Sequence, residues 1–258
     1  MAAEPMASHS RVRRRYQNSP IVEAVCEFQF RPGNKWDWTI PGLVYNQIKG
    51  EFPQKREEKA FEINLAVQGP AGKVQQMGQS LTKMQFIRKD GSAMVQVGPD
   101  LLAVNAYPPY LGWEGFQGLI QGQFENYRTI AQPVGFKRIG LRYINKIVFP
   151  TPEIETTDYL HYYPRVPDTL KQEHGPFRMR MFHVYDEERD MLNLQIGHSQ
   201  PVDGHLAIAL DLDYHLVKAE RVELARGMEW VETAHERIEA MFEACITDRT
   251  RALFEATA

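Results

Sequence analysis

The chain has 258 residues, of which 43% are hydrophobic, 24% charged and 11% aromatic, a composition that excludes collagen-like, disulfide-scaffold and disordered classes. No apolar run approaches the roughly 20 residues that span a bilayer, and the first twenty residues hold no apolar stretch of the secretory kind. Cys26 and Cys245 are the only cysteines, too few for a disulfide framework or a cysteine zinc cluster, so a cytoplasmic protein with reduced thiols is expected.

The net charge of −3 is unevenly placed: residues 1–20 carry Arg11, Arg13, Arg14 and Arg15 against Glu4 alone, a net +3 that leaves −6 on the rest. Residues 1–18 are therefore expected to form a disordered basic arm, adding nothing to the core and able to contact phosphates. Order is expected to begin at Ser19-Pro20. Val22, Ala24, Cys26, Phe28 and Phe30 then alternate with polar residues, the period of a half-buried strand. Residues 42–48 predict a short helix ended by Phe52-Pro53. Strands follow at Phe61–Val67, Lys83–Arg88, Ala93–Val97 and Leu101–Ala106, the middle two joined across Asp90-Gly91, a dipeptide suited to a tight turn.

Trp113, Phe116, Ile120, Phe124 and Tyr127 line one face of a second helix. Gly115, Gly118 and Gly122 on it suggest a close backbone approach. The second half predicts a strand from Phe136 to Phe149, a loop-rich stretch with at most one helical turn, a hairpin of Phe177–Tyr185 with Met191–Gly197 across a charged tip at 186–190, a strand from His205 to Leu216, and one long helix from Met228 to Phe254. Ile246, Leu253 and Phe254 fall outside that helix's apolar stripe, and this second apolar surface predicts a homodimer.

The order reads β-α-β-β-β-β-α and then β-(turn)-β-β-β-α. This predicts an α+β fold: a mostly antiparallel sheet covered by helices, in a pseudo-duplicated topology of the TATA-binding-protein-like or helix-grip-like kind. Residues 19–258 make a single domain of two similar halves, 19–133 and 134–258.

Two groups of residues are candidates for ligand binding. On the strand from His205, Asp211, Asp213 and His215 share one parity while leucines hold the other. On the strand from Phe136, Arg138 and Arg142 share the polar parity. Cross-strand pairing of these arginines with these aspartates would satisfy both sets. The same residues suggest two alternatives: a metal-dependent phosphoesterase with Asp211, Asp213 and His215 as ligands, and a nucleic-acid-binding face at Arg138 and Arg142. Tyr107, Tyr110 and Trp113 around Pro108-Pro109 form the second group, able to stack on a base or ring. His235 reads as a histidine at the border of the last helix's apolar stripe. No residue is assigned a catalytic role and no metal or cofactor is expected. The reading is a non-catalytic protein that binds a small ligand or a protein partner.

Three stretches, Asn18-Ser19-Pro20-Ile21-Val22-Glu23-Ala24, Tyr110-Leu111-Gly112-Trp113 and Arg138-Ile139-Gly140-Leu141-Arg142-Tyr143-Ile144-Asn145, resemble a sporadically distributed family of stand-alone bacterial proteins. The likeness runs from about Tyr16 to the last helix. It implies a bacterial protein without an assigned activity and, through the patchy distribution, a mobile or phage-defence locus. It transfers no catalytic residue.

Overall fold

The computed structural model describes residues 14–33, 35–67, 73–167, 169–170 and 175–257, with side chains left aside at 60–81 and 256–257. Its elements are β1 (Arg15–Tyr16), β2 (Ile21–Arg31), α1 (Thr39–Ile48), β3 (Gln54–Val67), β4 (Lys73–Ile87), β5 (Ala93–Gly98), β6 (Leu101–Ala106) and α2 (Gly112–Ala131). Then come β7 (Gly135–Val148), α3 (Thr156–Tyr159), β8 (Arg178–Tyr185), β9 (Asp190–His198), β10 (Ala207–Leu216), α4 (Gly227–Cys245), α5 (Asp248–Leu253) and β11 (Ala256–Thr257). The fold is α+β, built on one antiparallel nine-stranded sheet of order β3-β4-β5-β6-β2-β7-β10-β9-β8.

That order explains why the chain reads as a repeat of form. β2 and β7 pair side by side in the middle of the sheet, and each is flanked by the last strand of its own series, β6 beside β2 and β10 beside β7. The remaining strands then run outward to the two edges. Loop chemistry supports the predicted hairpin between β4 and β5: Gly91 sits at φ +76°, open to glycine without steric cost, and the Asp90 carboxylate accepts from the Ser92 amide at 2.9 Å.

Alternation along the strands decides which sheet face is dry. Ala24, Cys26, Phe28 and Phe30 of β2, Ile139, Leu141 and Tyr143 of β7, and Leu210, Leu212, Tyr214 and Leu216 of β10 all belong to the buried core. α2 and α4 cover this face, with Phe124 packed 4.9 Å from Phe28 and Tyr127 stacked 4.8 Å from Phe30. α4 begins with Gly227 because the Phe136 ring lies against it; a Cβ there would stand 2.7 Å from the ring. Among the described residues the opposite face of the sheet carries no helix, and its residues are the polar parity.

Three expectations change. The glycines of α2 do not admit a neighbour: Cβ atoms built at Gly118 and Gly122 meet nothing within 4 Å, and one at Gly115 meets only Leu111 of its own preceding turn. Their spacing put them on one helix face, but that face is the solvent face.

The last helix is not continuous. It stops at Cys245, Ile246 turns extended and bridges to Leu160, and Thr247 starts α5 as its N-cap, its hydroxyl accepting from the Thr250 amide. The stretch around α3 crosses here, with Thr247 donating to the Tyr159 carbonyl at 3.0 Å. Ile246 and Phe254 are thereby buried inside the chain and Leu253 is partly buried, so the surface on which a homodimer was expected is already covered.

The basic arm is held at its end. β1 pairs with β11, Arg15 opposite Thr257 and Tyr16 opposite Ala256, so the expectation of a free tail through residue 18 fails at 14–18. Residues 1–13 lie outside the described residues.

Candidate functional site

The eight candidate residues divide between the two faces of the sheet. Arg138, Arg142, Asp211, Asp213 and His215 point to the open face, as their parity requires. The predicted cross-strand pairs form, but diagonally. Arg142 stands opposite Asp213 in the register and nevertheless binds Asp211, with Nε and Nη2 at 2.7 and 2.5 Å from its two carboxylate oxygens. Arg138 takes Asp213 at 3.4 Å and Glu27 at 3.3 Å.

Gly140 makes this reach possible. The Arg138 guanidinium lies across the glycine, where a Cβ would come within 2.5 Å of Nη1, and so arrives between the Glu27 strand and the Asp213 strand. Its hydrogen bonds to Asp211 hold the Arg142 guanidinium charged even more firmly than usual.

These pairings bear on the two alternative chemistries. Both oxygens of Asp211 are bound by a guanidinium, and Asp213 is shared by Arg138 and by His215, whose Nδ1 is 3.7 Å away. Among the described residues no group of three His, Cys, Asp or Glu side chains is placed to hold a metal ion. The arginines, for their part, face carboxylates at ion-pair distance, so this face is a lattice of compensated charge. Amides extend it toward the β3 edge: Gln85 donates to Gln96 at 3.1 Å, Gln96 to Asn105 at 2.8 Å, and Asn105 to Glu23 at 2.7 Å.

The aromatic group separates. Tyr107 is half-buried beside Glu23, its hydroxyl pushed up to about 12 by burial first and by that carboxylate second. Tyr110 and Trp113 instead line a cavity of about 350 Å³ on the covered face. The floor of the cavity is Tyr143 and Asn145 of β7 with Leu212 of β10. Its wall is His235, Ile238, Glu239, Phe242 and Glu243 of α4. Arg14, Arg15 and Tyr16 lie at the remaining side.

Helical spacing produces that wall. Positions 235, 239 and 242–243 recur every three or four residues, so one stripe of α4 faces the sheet where α2 starts. The Trp113 ring stacks flat on the His235 imidazole at 3.9 Å and 8°, and its Nε1 donates to Glu232 at 2.9 Å. One face of Trp113 is therefore taken by protein, which narrows the expected stacking role.

Inside the cavity the hydroxyls of Tyr110 and Tyr143 lie 3.0 Å apart, and Tyr143 Oη lies 3.3 Å from His235 Nδ1. Burial holds both phenols protonated far above their ordinary range; Glu114 acts the same way on Tyr110, and the neighbouring Tyr110 does so on Tyr143. They keep their protons, which suits positioning a ligand and not abstracting a proton from one.

Asn145 lines the cavity, is 2% exposed and donates its Nδ2 to the Leu210 carbonyl at 3.1 Å. At the edge, Glu243 accepts from Tyr16 Oη at 2.5 Å, Arg251 Nε at 2.7 Å and Arg14 Nη1 at 3.2 Å, while Arg15 reaches Glu114 at 3.0 Å. The anchored end of the basic arm thus forms part of the cavity rim. Both thiols are buried, and burial pushes Cys245 up to about 12 and Cys26 higher still.

Tyr143, Asn145 and Glu239 were absent from the sequence candidates, and His235 was read as a border residue. The signal for Asn145 was present: it sits in the apolar parity of its strand between Tyr143 and Ile147, where a polar side chain needs a reason. No protein-family model matches the chain, and no curated protein matches it in sequence.

Proposed function

We propose that this protein binds a small molecule in the cavity between α4 and the centre of the sheet and does not transform it. The observation that supports this reading most is the convergence of polar groups on one cavity: Asn145 from the floor and the Tyr110–Tyr143–His235 chain from a loop, a strand and a helix. At about 350 Å³ the space lies at the small end of ligand pockets. Phenols held protonated and thiols buried argue for binding over turnover.

The test is native mass spectrometry of the protein purified from its own cells, beside an Ile238→Trp variant that fills the cavity without touching its polar groups. A small adduct of constant mass on the wild type, lost in the variant, is expected. An adduct that survives in a folded Ile238→Trp protein would place the ligand elsewhere and overturn the reading.

A further inference from the structure

The two edges of the sheet are built differently. An edge strand carries a row of unpaired N–H and C=O groups, which soluble proteins guard with charged side chains, prolines or bulges. β3 is guarded in this way: it begins Gln54-Lys55-Arg56-Glu57-Glu58-Lys59, and its register against β4 slips between Glu58 and Lys59. β8, at the other edge, pairs with β9 in unbroken register over its eight residues and contains neither proline nor lysine. It exposes apolar side chains instead, Met181 at 43%, Phe182 at 50% and Val184 at 56%.

We propose that β8 is an interface with a second copy of this chain, the two β8 strands pairing antiparallel about a two-fold axis at Phe182. Backbone direction limits which residues can pair. The His198 amide donates to the Phe177 carbonyl at 3.0 Å, so odd-numbered residues of this strand turn their backbone groups toward β9, and Arg178, Arg180, Phe182 and Val184 turn theirs outward. An antiparallel partner bonds residues of that outward set to each other. A two-fold at Phe182 sets this residue against its own copy and Arg180 against the second copy's Val184.

Charge favours a second copy over another strand. β8 is basic at its start, with Arg178 and Arg180, and leads into the exposed acidic run Asp186-Glu187-Glu188. Among the described residues neither arginine meets a carboxylate; Arg180 holds Asn193 at 2.8 Å and lies over the Phe182 ring at 4.6 Å. Glu187 and Glu188 reach Arg221 and Lys218 at 3.9 and 3.3 Å, exposed pairs of small worth. A copy running the other way brings its acidic end beside Arg178 and its arginines beside the first acidic end, so the strand is complementary to its own reverse. A parallel copy would set arginine beside arginine. The apolar residues lie between the charged ends, as an interface with an apolar centre and a polar rim requires.

Light scattering on the full chain at micromolar concentration tests this. A mass twice that of the chain is expected, falling to the monomer in Phe182→Lys, which sets like charges across the axis. Phe182 is half-exposed, so this variant is expected to fold; should it not, Val184→Lys makes the same test. Charge reversal reads the direction of pairing: Arg178→Glu, and separately Glu187→Lys with Glu188→Lys, are each expected to weaken the dimer about tenfold. Combining all three restores it, because opposite ends meet again. A monomer mass in the wild type, or a dimer unchanged in Phe182→Lys, would overturn the interface. A dimer lost in Phe182→Lys yet indifferent to the charge reversals, or not restored in the folded combined variant, would overturn the antiparallel pairing.

Discussion

Asp211 and Asp190 are both strand carboxylates that bind arginine, one on each face of the sheet, and they do different work. Asp211 lies on the open face with Arg142, whose side chain is 42% exposed. Asp190, at the start of β9, is fully buried on the covered face and accepts from Arg189 Nη2 at 2.6 Å, Tyr214 Oη and Trp230 Nε1 at 2.9 Å each, and Arg237 Nη1 at 3.4 Å. Through Trp230 and Arg237 it ties α4 to the β9–β10 pair. Arg237 also lies over the Tyr185 ring at 4.9 Å. On the open face charge is compensated in contact with water, so each pair is cheap to lose. On the covered face each polar group had to be desolvated and is held only because its partners are complete, or because a cavity lies beside it.

The sharpest way to break this contrast is Asp190→Ala. Removing it leaves two guanidinium groups and an indole N–H without their buried acceptor, for an expected loss of about 3–5 kcal/mol. Urea denaturation measures it, and a loss below about 1 kcal/mol would mean that the buried carboxylate matters no more than a surface one.

An intermediate effect is expected at the cavity rim. Tyr16 packs edge-on against Phe254 at 5.4 Å and Phe242 at 6.3 Å and bonds Glu243. Tyr16→Ala should cost about 1–2 kcal/mol from the half-buried ring. A free tail would cost nothing, so an unchanged melting temperature would restore the basic arm to that status.

The smallest effect belongs to the open face. A double-mutant cycle with Arg142→Ala and Asp211→Ala should give a coupling of about 0.2–1 kcal/mol, at the lower end because the guanidinium is partly solvated, and weaker again in high salt. A coupling of several kcal/mol, insensitive to salt, would show that this face is buried by something in solution and would end the contrast.

Much of the fold was legible in the sequence because strand and helix periods are local. Val22 through Phe30 and Leu206 through Leu216 alternate, and alternation alone orients every side chain once one face is known. The helix break at Ile246 left a mark too: Thr247-Asp248 is an N-cap followed by an acidic first-turn residue, and Ile246, Leu253 and Phe254 leave the apolar stripe at that point. Asp190 was read as part of the charged tip at 186–190, whereas four donors, from Arg189 of that tip, from β10 and from α4, surround it.

What the sequence by itself determined was therefore the alternation: an α+β chain of two like series, the sheet parity of Arg138, Arg142, Asp211 and Asp213, and the pairing that parity invites. What only the tertiary structure decided was which polar residues meet away from water. Tyr110, Tyr143, Asn145 and His235 come from a loop, a strand and a helix up to 125 residues apart in number, and no local period relates them. They meet because β7 lies at the middle of the sheet and α4 crosses it beside the start of α2, a proximity set by packing and by the order of the strands.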